Sequence, residues 1–114
     1  MTAWGGCIFC KIANGDAPAD VVNRNEGFVA FRDVAPKADV HVLVIPEKHI
    51  DNLTQIGEFS ADEVKTMLEF AVDTAKTLGL EDFRLLTFNG RGAGQTVFHL
   101  HWHLLGGVIR GMPA

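Results

Sequence analysis

His99, His101 and His103 stand at alternate positions near the end of a 114-residue chain, separated by Leu100 and Trp102. Imidazole near neutral pH serves as nucleophile, hydrogen-bond donor or acceptor, and metal ligand. In an extended strand alternate residues share a face, so the three rings project together while Leu100, Trp102 and Leu104 turn the other way. Successive rings then lie about 6 to 7 Å apart, and His99 lies about 13 Å from His103. One ion would hardly reach all three. A neighbouring pair could chelate, which divides the labour of the run and favours a composite site over a three-histidine metal centre. The plain alternative is a set of paired core histidines, an unusual fate for three polar side chains on one face.

Just upstream, Gly90-Arg91-Gly92-Ala93-Gly94 reads as a loop that enters the run through Gln95 and Thr96. Glycine lets backbone approach a phosphate closely, and Gln95 and Thr96 add an amide and a hydroxyl, although such a loop also occurs as a simple turn. At the other end of the chain Cys7-Ile8-Phe9-Cys10 has the spacing of a metal or redox pair. In a reducing compartment a close pair is more often that than a structural disulfide, and metal would require two more ligands.

The elements that must carry these residues follow from patterning. Cys7 to Ala13 fits a short helix ending near Asn14-Gly15, and Val21 to Arg24, Phe28 to Arg32 and His41 to Ile45 read as strands, with a turn at Asn25-Glu26-Gly27. Ser60 and Glu63 form a capping box at the head of a long helix. Val64, Met67, Leu68, Ala71, Ala75 and Leu78 recur on its core face, and Gly79 stops it. Phe83 to Asn89 and Val97 to Leu105 supply two final strands. Strands segregated from helices predict an α+β domain built on an antiparallel sheet with one long and one short helix.

With no repeats or linkers, residues 1–114 are expected to form one domain, and 47% hydrophobic residues suffice for its core. A net charge of -4 argues against a nucleic-acid polymer as partner, since Lys and Arg must supply that affinity. No apolar run is long enough to span a bilayer, and Met1 to Gly6 lacks the parts of a signal peptide, which together predict a cytoplasmic protein without a membrane partner.

The segment from Gln95 to Gly107, containing His99-Leu100-His101-Trp102-His103, resembles the signature of the histidine-triad (HIT) superfamily, in particular its Hint-like branch. Cys7 to Ile12, Ala30 to Val34 and His41 to Ile50 are similar to that family in order and spacing, so the resemblance runs from about residue 7 to residue 107. It implies a HIT-like fold with a five-stranded sheet. It also implies hydrolysis of nucleoside 5′-phosphoramidates or related nucleoside monophosphate conjugates: His101 attacks the α-phosphorus, forms a covalent nucleotidyl-imidazole and releases a nucleoside monophosphate to water. Splitting the displacement replaces one difficult step with two easier ones.

Other roles come with the same resemblance. A carbonyl near His99 would hold the second nitrogen of His101, and His103 would contact the phosphate and the leaving-group side. The nucleotidylyltransferase branch carries glutamine there, so His103 favours hydrolysis over transfer. His41 would support the triad as a catalytic-site residue, the structural alternative being a strand-end histidine. Asp33 would bind ribose hydroxyls; Ile8, Phe9, Phe31 and Val34 would form a slot for the base of an AMP- or GMP-type conjugate; and Asn89, Gly94, Gln95 and Thr96, with His101 and His103, would contact phosphate. Cys7, Cys10, His49 and His99 would complete a closed, structural zinc site, with reduced buried cysteines or a redox dithiol as rivals. No catalytic metal is required. Family members are typically homodimers. The tail from Val108 to Ala114 lacks the tryptophan-bearing C-terminus of many Hint proteins, which leaves the leaving group open. The competing functions are a Fhit-like dinucleoside polyphosphate hydrolase and a non-catalytic nucleotide-binding or zinc-dependent interaction module.

Overall fold

A computed structural model describes residues 7–111, so expectations about residues 1–6 and 112–114 lie outside the described residues. Helix α1 (Ile8–Asn14) opens on Cys7, whose sulfur accepts the Cys10 amide, and closes on Gly15 at φ +82°. Strands β1 (Val21–Asn25) and β2 (Phe28–Arg32) form a hairpin through Glu26 and Gly27. Both turn residues have positive φ, as the tight turn matched to strand twist requires. Strand β3 (Ala38–Pro46) follows, then a 3-10 turn at Leu53–Glu58.

Helix α2 (Ala61–Thr77) carries the expected capping box of Ser60 and Glu63. Past its end Gly79 takes φ +74°, so that its amide reaches the Lys76 carbonyl and the Leu80 amide reaches Ala75. The sheet is completed by β4 (Arg84–Leu86) and β5 (Trp102–Ile109), in the order β1-β2-β3-β5-β4 with every pair antiparallel. The α+β expectation and its five-stranded sheet hold.

The sheet has helices on both faces. Phe28, Ala30, Val42, Val44 and Leu104 pack against Met67, Phe70, Ala71 and Ala75 of α2. On the opposite face Val29, Phe31, Leu43 and Ile45 pack against Phe9, Ile12 and Ala13 of α1. Because β3 pairs Leu43 with His103 and His41 with Leu105, both histidines lie on the α1 face.

Three expectations need correction. The core stripe of α2 is Met67, Phe70, Ala71, Thr74 and Ala75, whereas Leu68 is 40% exposed. Strand β4 spans three residues rather than the seven from Phe83 to Asn89. Strand β5 begins at Trp102, not Val97, so His99 and His101 precede it. The β3–β5 ladder ends at Val44 and Trp102, and the next rung would fall to Pro46, which has no amide hydrogen to give. The Leu100 amide bonds the Ile50 carbonyl instead, and the Thr87 hydroxyl bonds the His101 carbonyl. Alternation nonetheless survives: Leu100 and Leu104 enter the α2-side core, and Trp102 packs against it.

After His103 the chain reaches Gly106, where a Cβ would overlap the Leu80 side chain. The absence of a side chain at Gly106 leaves that space to Leu80.

Candidate active site and metal centre

His99, His101 and His103 are all buried, with no more than 8% of their surface exposed. Phe9 of α1 lies edge-on to both His99 and His101, with centroid distances of 6.0 and 5.1 Å. The His101 and His103 rings are 5.1 Å apart. The short helix therefore presses on the histidine run from the sheet's second face.

Hydrogen bonds decide what each ring can do. His101 donates Nδ1–H to the His99 carbonyl at 2.8 Å, which leaves the lone pair on Nε2. Burial lowers the His101 pKa, chiefly by desolvation, and favours this neutral form. The Lys37 amide donates to His41 Nδ1 at 2.9 Å, so the single ring hydrogen of neutral His41 is on Nε2. That nitrogen lies 2.9 Å from His103 Nδ1 and 3.3 Å from Asp33 Oδ2. His103 Nδ1 consequently accepts, and its own hydrogen is on Nε2.

Asp33, His41 and His103 bring three ligand-type atoms together. Their wiring is wrong for metal: Nδ1 of His41 already accepts an amide hydrogen, so Nε2 must keep its proton rather than offer a lone pair.

Cys7, Cys10, His49 and His99 are wired the other way, and they could hold a metal ion. His99 donates Nε2–H to the Pro46 carbonyl at 2.8 Å, and His49 directs Nε2–H to Asp51 Oδ1 at 3.1 Å. Both Nδ1 lone pairs thus face sulfur: His99 lies 3.3 Å from Cys7 Sγ and 3.4 Å from Cys10 Sγ, and His49 lies 3.2 Å from Cys10 Sγ. A tetrahedral ion with sulfur and nitrogen ligands would hold them about 3.6 Å apart. Burial, with Cys7 beside it, pushes the Cys10 thiol up to about 12. A thiol held there needs a cation beside it before it ionises.

The remaining candidate residues separate into contacts the chain uses internally and groups left facing outward. The Gln95 amide is fully engaged, donating to the Asp51 and Val97 carbonyls and accepting from Asn52 and the Gly90 amide. These four bonds hold the glycine loop in place. The amides of Ala93, Gly94 and Gln95 also bond carbonyls within that loop. Thr96 is exposed. Asn89 accepts the Leu53 amide at 2.8 Å and so ties the 3-10 turn. Its neighbour Phe88, which residue-type reasoning passed over, lies 5.1 Å from the His103 ring. Phe9 and Phe31 are core, packed edge-to-face at 5.5 Å, while Ile8 is 46% and Val34 100% exposed. The expected base slot is thus two buried rings with two outer side chains. Asp33 is anchored by the Ala35 amide on Oδ1.

His103 is held down to about 4 by desolvation, with His101 and His41 nearby, against an upward pull from Asp33. An unfolded histidine takes up its proton near pH 6.5, whereas folded His103 refuses it. The stability it contributes is complete above that pH and is lost as pH falls toward 4. Between pH 7 and pH 4, wild type is expected to lose on the order of 2 to 3 kcal/mol more than His103→Gln in denaturant unfolding. Parallel losses would mean that His103 titrates normally.

Residues 14–108 match the family model described as HIT domain. An uncharacterized HIT-like protein of Synechocystis is 44% identical over 101 residues, covering 88% of this chain and 89% of that protein. The solved structure of a HIT family hydrolase from Clostridium thermocellum superposes with a TM-score of 0.86 at 42% identity and covers 96% of both chains. That of a histidine triad nucleotide-binding protein from Candida albicans gives 0.79 at 32% identity, covering 96% of this chain and 84% of the other. No helix among the described residues is long and apolar enough to cross a membrane.

Proposed function

This chain belongs to the HIT domain family, and from that premise we propose that it hydrolyses nucleoside 5′-phosphoramidates or related nucleoside monophosphate conjugates through a covalent nucleotidyl-histidine on His101. The observation that carries this reading is the 2.8 Å bond from His101 Nδ1–H to the His99 carbonyl. It turns a lone pair on Nε2 toward the face shared with His103, the arrangement an imidazole nucleophile needs.

In the proposed reaction His101 Nε2 forms a bond to the α-phosphorus as the bond to the leaving group breaks. The hydrogen on His103 Nε2 stabilises charge on the phosphate and on the departing atom. His41, held by the Lys37 amide, positions His103. Asp33 accepts from the ribose, and Ile8 and Val34 border the purine of an AMP- or GMP-type conjugate above the Phe9–Phe31 floor. Thr96 supplies a hydroxyl to the phosphate, and Gly94 keeps the loop, at φ +100°, out of its way.

Cys7, Cys10, His49 and His99 are the proposed ligands of a structural zinc. Their two sulfurs and two imidazoles match its preferred donors and leave no open position for chemistry. The ion would supply positive charge to the two sulfurs, of which Cys10 is buried, and fix α1 to the histidine run. A homodimer completes the reading, supported by the exposed Leu68 and Val72 of α2, with the cytoplasm as its proposed location.

The test offers adenosine 5′-phosphoramidate and diadenosine triphosphate side by side and quenches early for intact-mass analysis. Preferential hydrolysis of the phosphoramidate with an adenylyl adduct on the peptide containing His101 is expected. Strong preference for the triphosphate would support a Fhit-like hydrolase, and tight AMP binding without turnover a binding module.

A further inference from the structure

The His103 ring has a proton pattern dictated from outside the site. A backbone amide can only donate, so the 2.9 Å bond from Lys37 N–H makes His41 Nδ1 an acceptor. His41 then presents Nε2–H to His103 Nδ1 at 2.9 Å. A second proton on His103 would sit on Nδ1 and face that hydrogen. Asp33 Oδ2, 3.3 Å from His41 Nε2, is a second and more distant acceptor for the same hydrogen and leaves the His41 tautomer unchanged. The other titratable neighbour, His101, is 5.1 Å away between ring centres, and Phe88 lies against His103 at the same distance. The Lys37 amine is engaged with the Ala35 carbonyl.

We propose that His103 is locked as a neutral hydrogen-bond donor and transfers no proton, so that the enzyme selects nucleotide conjugates whose leaving group departs without a proton from the protein. This inference rests on the hydrolase reading above. To give up its one hydrogen, neutral His103 would have to become an imidazolate beside two other buried imidazoles. The depressed pKa of His103 agrees with the lock.

The chemistry then defines a substrate class. A phosphoramidate reacts as its zwitterion, with the extra proton on the bridging nitrogen and the negative charge on phosphate oxygen. His101 Nε2 bonds to phosphorus, the P–N bond breaks, and the amine leaves with that electron pair and every hydrogen it brought. The His101 ring keeps Nδ1–H on the His99 carbonyl and carries the positive charge of the adduct. Weakly basic phenolates and phosphates leave unaided in the same way. A simple alkyl ester, whose alkoxide needs a proton as it departs, is excluded.

The experiment uses adenosine 5′-phosphate esters of phenols of graded acidity, the methyl ester and the phosphoramidate, with wild type and His103→Gln. Without acid assistance, wild-type kcat/KM falls steeply as the phenol becomes more basic, and the methyl ester is inert. Glutamine keeps an N–H donor, so the variant should be slower by about tenfold at every ester, in a line parallel to wild type, against the 100-fold or more expected when such a donor is removed altogether. A shallow wild-type dependence that steepens in His103→Gln would overturn the proposal, because that is the mark of a proton-transferring acid. Nitrogen-15 NMR of histidine-labelled full-length protein, with His103 assigned by its loss in the variant, tests the lock without turnover. Expected are a proton-free Nδ1 and a protonated Nε2 at pH 6.5; two protonated nitrogens would refute it. If wild type cleaves none of the compounds, the hydrolase reading fails while the NMR result still decides the lock.

Discussion

His101→Ala is expected to lower phosphoramidate turnover by about 10⁴-fold or more, the scale on which loss of a nucleophile is felt. AMP affinity should fall far less than turnover, because the base, the ribose and the remaining phosphate contacts are assigned to other side chains. The protein should still fold. The ring sits at the edge of the core beside Phe9, and the backbone bonds around it, from the Thr87 hydroxyl to the His101 carbonyl and from the Leu100 amide to Ile50, do not use the imidazole. Rapid-quench kinetics, AMP titration and thermal unfolding measured together separate the outcomes. Unimpaired turnover would remove His101 as nucleophile, whereas parallel loss of turnover, binding and melting temperature would point to misfolding.

Metal removal is expected to have the second-largest effect, and its reach is set by His99. The side chain of His99 faces both sulfurs, while its carbonyl holds Nδ1–H of His101. Purified without chelator, the protein should contain close to one equivalent of zinc; less than half an equivalent would count heavily against the site. Chelation or Cys10→Ser should destabilise the fold by several kcal/mol, about 4 at a metal concentration a thousandfold above Kd. Turnover should fall further than AMP affinity, since a His99 free to shift no longer fixes the tautomer of His101. Elemental analysis, denaturant unfolding and the split between kcat and KM report these separately. A chelated protein of unchanged stability would mean that the four side chains form an ordinary polar cluster.

Much of the framework was legible in local patterning. The capping box at Ser60, the glycine stops at Gly15 and Gly79 and the Asn25-Glu26-Gly27 turn depend on neighbours within a few residues. Where strands end was not legible in that way. His99 and His101 look like strand residues from their alternation, but the ladder stops because Pro46, some fifty positions earlier, arrives opposite Leu100. Leu68 has the spacing of a core residue and still faces outward, since the sheet, not the helix, decides which side of α2 is covered.

The site divides along the same line. The sequence by itself determined which chemical groups are available: five histidines, two cysteines and a glycine loop, with alternation enough to turn the triad to one face. Only the tertiary structure decided what each group can do. Gln95 and Asn89 both carry amides, yet that of Gln95 is engaged at both ends by the loop it supports, and Asn89 gives its oxygen to the 3-10 turn. Phe88 carries no polar group and reaches His103. His41 and His49 are the same residue type, but one accepts a backbone amide and the other faces a carboxylate, so one keeps hydrogen on the nitrogen facing its neighbour and the other offers a lone pair to sulfur. An imidazole's role is set by the partner of its far nitrogen, and those partners come from distant chain segments that only folding brings together.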